Sequence, residues 1–183
     1  MPVNSKNKGN KNEREVAKLF KKWTGYDFTK VPTSGGLRWK RTTDTAGDII
    51  CSDNIHYRRF QFSIEAKFHE DIRFEHIILP NTKVKVLEFW TQAKEDAQRA
   101  GKIPLLFMRY NHMPKNMHFV GVNKQYLEEV LDKHITNNLG RLHILTKEAQ
   151  VTILNSEDFF NCNYLNLYKQ TRKWNKNQKE SGA

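Results

Sequence analysis

Phe60-Gln61-Phe62-Ser63-Ile64-Glu65-Ala66-Lys67, read with the earlier run Ala46-Gly47-Asp48-Ile49-Ile50, decides how this chain folds. In the later segment Phe60, Phe62, Ile64 and Ala66 alternate with Gln61, Ser63, Glu65 and Lys67. A period of two predicts a strand whose first set faces a core and whose second set faces the other side. Glu65 and Lys67 then project together. Ile49 and Ile50 predict a second strand over 48–52, joined to the strand at 58–68 by a turn at Asp53-Asn54. Two carboxylates and a lysine therefore fall on neighbouring strands. Phosphodiester cleavage needs that inventory: hard oxygen ligands for Mg²⁺ and a cation beside the reacting phosphate. Taken alone, Glu-x-Lys reads equally well as a surface ion pair on an amphipathic strand. The Gly-Asp-Ile-Ile run ahead of it makes the signal stronger.

Outward from these strands, Val16, Leu19, Phe20 and Trp23 form a helical stripe that Gly25 ends. Residues 26–31 predict a short strand, and residues 32–47 a loop rich in Gly, Ser and Thr. A helix is expected over 84–100, with Val86, Trp90, Ala93 and Ala97 on one side and Gly101 as its C-cap. Strands are expected at 104–110 and 118–122, a helix at 124–134 and a last strand at 151–154. Ser156, followed by Glu157 and Asp158, suits the start of a short terminal helix. This order predicts an α/β or α+β sheet flanked by helices. The expected organisation is one domain over 1–183: a flexible basic arm at 1–11, a core at 12–122, an extension at 123–168 and a frayed basic tail at 169–183.

The 183 residues carry 31 Lys and Arg against 20 Asp and Glu, a formal charge of +11. That excess favours a polyanionic partner, nucleic acid before membrane, since no long apolar or amphipathic basic segment accompanies it. Simple solubility is the plainer alternative. Cys51 and Cys162 stand apart, without metal-like pairing, which predicts a reduced, intracellular chain. The polar start, Met1 to Lys11, lacks the apolar region of a signal peptide, and no stretch approaches ~20 apolar residues. A cytoplasmic location is expected.

The ordered set of motifs resembles the PD-(D/E)xK nuclease superfamily, and within it the archaeal-type and phage Holliday junction resolvases. The resemblance spans residues 8–110. It begins at Lys8-Gly9-Asn10-Lys11-Asn12-Glu13-Arg14-Glu15 and passes through Pro32-Thr33-Ser34-Gly35, Gly47-Asp48-Ile49-Ile50 and Ile64-Glu65-Ala66-Lys67. It ends at Phe89-Trp90-Thr91-Gln92-Ala93 and Gly101-Lys102-Ile103-Pro104-Leu105-Leu106. The combination in this order is specific, though no single piece is. Gly47 stands where these proteins usually carry proline, and the stretch from Ser34 to Asp48 is longer than in the archaeal ones.

The resemblance implies a restriction-endonuclease-like fold, a central mixed β-sheet flanked by helices. It implies a metal-dependent endonuclease that resolves four-way DNA junctions as a homodimer, in the host cytoplasm if phage-encoded. Asp48 and Glu65 would be metal ligands, joined by the main-chain carbonyl of Ala66. Lys67 would orient the attacking water and stabilise charge on the phosphate. Glu13 would complete or support the metal site, Ser34 would sit near the scissile phosphate and Gln92 would contact the site from the later helix. An all-oxygen donor set suits Mg²⁺, with Mn²⁺ as a substitute, whereas Zn²⁺ prefers His or Cys.

Each assignment has a plainer counterpart. Glu13 also reads as a first-turn glutamate favoured by the helix dipole, Ser34 as a turn residue and Gln92 as a solvated helix position. Asp44 is a loop side chain before it is a ligand. Arg38-Trp39-Lys40-Arg41 reads as a phosphate-contacting, base-stacking tetrad or as a solvated loop with Trp39 folded back on the core. Lys8 and Lys11 join that tetrad as expected DNA contacts. Two rival functions stand beside junction resolution. One is another nuclease of the superfamily acting on duplex DNA, of restriction, repair or homing type. The other is a DNA-binding protein without catalysis.

Overall fold

The computed structural model describes residues 5–31, 46–70, 72–79, 83–137 and 139–181. Seven strands form one sheet in the order β1-β2-β3-β4-β5-β7-β6. The strands are β1 (Phe28–Lys30), β2 (Ile49–Cys51), β3 (Phe62–Phe68), β4 (Ile103–Arg109), β5 (Phe119–Asn123), β6 (Arg141–Leu145) and β7 (Gln150–Asn155). The helices are α1 (Ser5–Thr24), α2 (Lys85–Ala100), α3 (Lys124–Glu129), α4 (Ser156–Phe160) and α5 (Tyr164–Ser181). Among the strands of the described residues only β3 and β4 run parallel; every other named pair is antiparallel. Parallel neighbours need a long crossover, and α2 supplies it. The result is the restriction-endonuclease-like mixed sheet flanked by helices that the resemblance implies.

The alternation along β3 sorts the two faces. Phe62, Ile64 and Ala66 join the larger core with Val16 and Phe20 of α1 and Leu105 and Phe107 of β4. On the other face Leu106 and Met108 pack under Val86, Trp90 and Ala93 of α2. Phe20 is the hub of the first core, with ring contacts to Trp23, Phe28, Phe60, Phe107, Phe159 and Phe160. Truncating such a buried ring to alanine costs about 3–5 kcal/mol. Gly101 ends α2 in the left-handed region at φ 59°, and its N–H returns to the Ala97 and Gln98 carbonyls.

Both chain ends depart from expectation. The first helix begins at Ser5, so Lys8 and Lys11 lie within α1 and Glu13 sits in its middle. The dipole explanation of Glu13 therefore lapses. The segment expected to fray after residue 168 continues as α5 to Ser181. Strand β6 had no counterpart among the expected elements. The helix expected over 124–134 stops at Glu129 and gives way to a 3₁₀ turn at Leu131–Lys133. Asn155, not Ser156, caps α4, its Oδ1 accepting from the Glu157 N–H at 2.8 Å. Cys51 and Cys162 are both free and buried. Among the described residues no helix is long and apolar enough to cross a membrane.

Candidate active site

Asp48 is placed by backbone before its side chain does anything. Its N–H donates to the Ile64 carbonyl of β3 at 2.8 Å, and its carbonyl accepts from the Val31 N–H, just past β1, also at 2.8 Å. Gly47 allows that clamp. Its φ is +85°, and a Cβ there would lie 2.3 Å from the Ile64 carbonyl oxygen. Proline, fixed near φ −65°, cannot take this conformation. The glycine is thus demanded by this chain's own backbone path.

β2 pairs with β3 only at Ile49–Ile64. Ala66, two residues further, faces the same edge of β3. There the pairing lapses, and Asp48 Oδ2 accepts the Ala66 N–H at 3.1 Å. Asp48 is thereby tied to the residue between Glu65 and Lys67. Lys67 Nζ lies 3.4 Å from Asp48 Oδ2 and forms an ion pair with Glu65 Oε1.

Glu65 is buried beneath α2, with 1% of its side chain exposed. Neither of its oxygens has a well-aligned hydrogen-bond donor. Lys67 reaches Oε1 as a close charge rather than as an aligned donor. Burial, then the Asp48 charge, pushes the Glu65 carboxyl up to about 7 against the opposing pull of Lys67. Burial alone would lower the Lys67 ammonium, but Asp48 and Glu65 outweigh it and the group is raised. Lys67 is therefore a stable cation, whereas Glu65 is held near its switching point.

Glu13 reaches the margin of this group from α1. Burial first, then the Asp48 charge, raises its carboxyl. Its closest partner is Lys30 of β1, at 3.3 Å, which also donates to Asn10 Oδ1 at 2.6 Å. Among the described residues no three acidic, His or Cys side chains converge into a preformed metal cluster. The donor set that fits a hard divalent cation is Asp48 and Glu65 with the Ala66 carbonyl: two close carboxylates, one of them buried without aligned donors.

The remaining expected residues separate. Gln92 is exposed on α2, beside Thr91, Glu95 and Glu148, and no hydrogen bond joins it to Asp48, Glu65 or Lys67. One turn later Asp96 does act on the site, its charge adding to the rise at Glu65. Lys8 and Lys11 line a cleft with Phe68, Arg109, Tyr110 and His112, beginning one residue past Lys67. Lys8 Nζ donates to Asn111 Oδ1 at 3.1 Å and lies 5.8 Å from the Phe68 ring centre. Ser34, Arg38, Trp39, Lys40, Arg41 and Asp44 lie outside the described residues. Lys30 and Asp96 were not singled out from sequence; an isolated lysine on a short strand and a helical aspartate carry no local signal.

A mixed sheet presenting an aspartate just ahead of one strand and Glu-x-Lys on the next is the mark of the PD-(D/E)xK class of nucleases. The chain belongs to the family described as phage putative PDDEXK endonuclease, which matches residues 4–177. No curated protein and no solved structure gave a match.

Proposed function

We propose that the protein is a metal-dependent DNA endonuclease that cleaves branched DNA, resolving four-way junctions by paired nicks. The observation that carries the catalytic part is the meeting of Asp48, Glu65 and Lys67 on one side of the β2–β3 pair. Asp48, Glu65 and the Ala66 carbonyl would hold Mg²⁺, or Mn²⁺ in its place. Bound there, the cation would supply a water of lowered pKa and neutralise charge developing on the phosphate. Lys67 holds its proton beside the two carboxylates, so it offers a fixed positive charge to the scissile phosphate and a donor to the attacking water. Glu13 supports the site from α1 through its charge.

The preference for junctions rests on the resemblance. The charge of +11 supports a nucleic-acid substrate of either shape. A junction has two-fold related strands, and a homodimer with an isologous interface would bring one site to each. The test is cleavage of a mobile four-way junction beside a linear duplex, with Mg²⁺ and with chelator. Paired symmetric nicks bearing 5′-phosphate and 3′-hydroxyl ends are expected. Cleavage that ignores branching would transfer the assignment to a duplex nuclease of restriction or repair type. Binding without cleavage would leave a DNA-binding protein.

A further inference from the structure

We infer that the exposed face of α5 is a second nucleic-acid contact, a ladder of cations that grips the phosphodiester backbone away from the catalytic centre. The inference rests on the nucleic-acid reading above and names a surface which that reading does not use.

The helix has two unlike sides. Tyr164, Leu167, Thr171 and Asn175 are buried. The Tyr126 and Thr171 hydroxyls are 2.7 Å apart, and Asn175 Nδ2 donates to Gln61 Oε1 and to the Gly101 carbonyl, each at 3.1 Å. Trp174 Nε1 adds a bond to Glu129 Oε2 at 2.7 Å. A solvated tail needs none of these bonds. They fix the helix along much of its length and so pre-organise the opposite side.

That opposite side carries Lys169, Arg172, Lys173, Lys176 and Lys179, all exposed. The spacing of three, one, three and three keeps them on one face. With Gln61 and Asn175 they line one open cleft. Glu180 is the single carboxylate of the helix, and it lies 3.5 Å from Lys176. Lys169, Arg172 and Lys173 have no carboxylate partner among the described residues. Lys179 leans over Gly101 at the C-terminal end of α2, where a cation is favoured in any case. Lys169, Arg172 and Lys173 have no such internal use, and Lys176 only its exposed pair with Glu180.

The ladder has the length of a polyanion. From residue 169 to 179 the helix rises roughly 15 Å. One strand of duplex DNA presents a phosphate about every 3.4 Å of axis, so about four phosphates lie alongside. An anionic membrane surface fits less well, because the apolar side of α5 is spent on the core and only Leu165, near its start, is exposed and apolar. The place on the sheet also separates this surface from the catalytic one. Gln61 precedes β3, whereas Lys67 lies near its far end, roughly 20 Å along at strand spacing. The α5 surface and Lys67 of the catalytic site therefore lie toward opposite ends of β3.

The experiment measures affinity for a 40-base-pair duplex and for a four-way junction, in chelator so that nothing is cut, across a salt series. A variant carrying Lys169→Gln, Arg172→Gln, Lys173→Gln and Lys176→Gln is compared with wild type. A second variant removes the same number of charges elsewhere, at Lys18, Lys22, Lys133 and Lys147. The α5 variant should bind at least roughly tenfold more weakly near 0.1 M salt, with a log–log salt slope shallower by about two to four. The second variant should keep a slope close to wild type. Equal slopes for wild type and the α5 variant would overturn the inference while leaving the nuclease reading intact. Equal losses in both variants would show a net-charge effect and overturn it too. Wild type that binds no DNA at any salt would remove both readings together.

Discussion

Asp48 Oδ2 accepts the backbone N–H of Ala66 at 3.1 Å. Through this bond the first carboxylate is positioned by the peptide lying between Glu65 and Lys67. The three side chains of the site therefore share one rigid frame, the β2–β3 edge, although 16 residues of sequence separate Asp48 from Glu65. Placement by backbone matters because a site misplaced by about 1 Å loses much of its rate.

Gly47 is the hinge of that frame. Gly47→Ala forces a side chain into φ +85° and against the Ile64 carbonyl, so it should cost about 2 kcal/mol or more. Gly47→Pro, which restores the residue usual in the resembling nucleases, should be worse. Chemical denaturation measures both. A proline variant as stable as wild type would show that the 46–48 backbone follows another path.

Glu65 makes metal-free stability depend on pH. Its folded carboxyl titrates at about 7, above an ordinary carboxylate near 4.3. The folded state thus keeps a proton that the unfolded chain has lost. Its contribution is full below about pH 4.3 and disappears as pH rises through 7. Glu65→Gln removes the buried charge. In chelator it should exceed wild type in stability at pH 8 by on the order of 3 kcal/mol, and the two should converge toward pH 5. By the same linkage, Mg²⁺ should bind wild type more tightly at pH 8 than at pH 6. A stability gap that does not change between pH 5 and 8 would contradict the burial argument.

His118 acts with the opposite sign. It is buried, its Nε2 lies 3.0 Å from Asn12 Oδ1, and burial, then the Arg109 charge, lowers it to about 4. Its contribution is present above an ordinary histidine near 6.5 and is lost as pH falls toward 4. Between about pH 4.5 and 6.5 the slopes from Glu65 and His118 therefore oppose each other. His118→Gln should lower stability at neutral pH yet abolish this acid loss. Its curve should then rise more steeply than that of wild type as pH falls through this window. Parallel curves for the two proteins would show that His118 titrates normally.

Much of this fold was legible because β3 and α2 bury apolar residues at clean periods of two and 3.6. The parts that escaped bury polar residues or bury little. Strand β6 is a sheet edge on which only Ile144 is buried, so Leu142 and Leu145 stay exposed and no alternation appears. The stripe of α5 runs on through Thr171 and Asn175, which are buried with hydrogen bonds to Tyr126 and to Gln61 and the Gly101 carbonyl but look solvated in sequence. The first turns of α1 are held by Lys8 against Asn111, 103 residues away, and against the Phe68 ring, contacts that local periodicity does not reveal. Asp48, Glu65 and Lys67 were legible as a group because the motif is local to two strands. Gln92 stands apart from this group because its place on a helix is set by packing across the sheet, and it lies exposed beside Thr91, Glu95 and Glu148.

The most direct test of the central claim is DNA cleavage by Asp48→Asn, Glu65→Gln and Lys67→Ala beside wild type, with binding followed in parallel. Asparagine and glutamine keep shape and remove ligand charge. Cleavage by these two should fall by about three orders of magnitude or more, and Lys67→Ala should lose roughly a hundredfold or more. Binding in chelator should remain within about threefold of wild type. Near-normal Mg²⁺-dependent cleavage by Asp48→Asn would contradict the account.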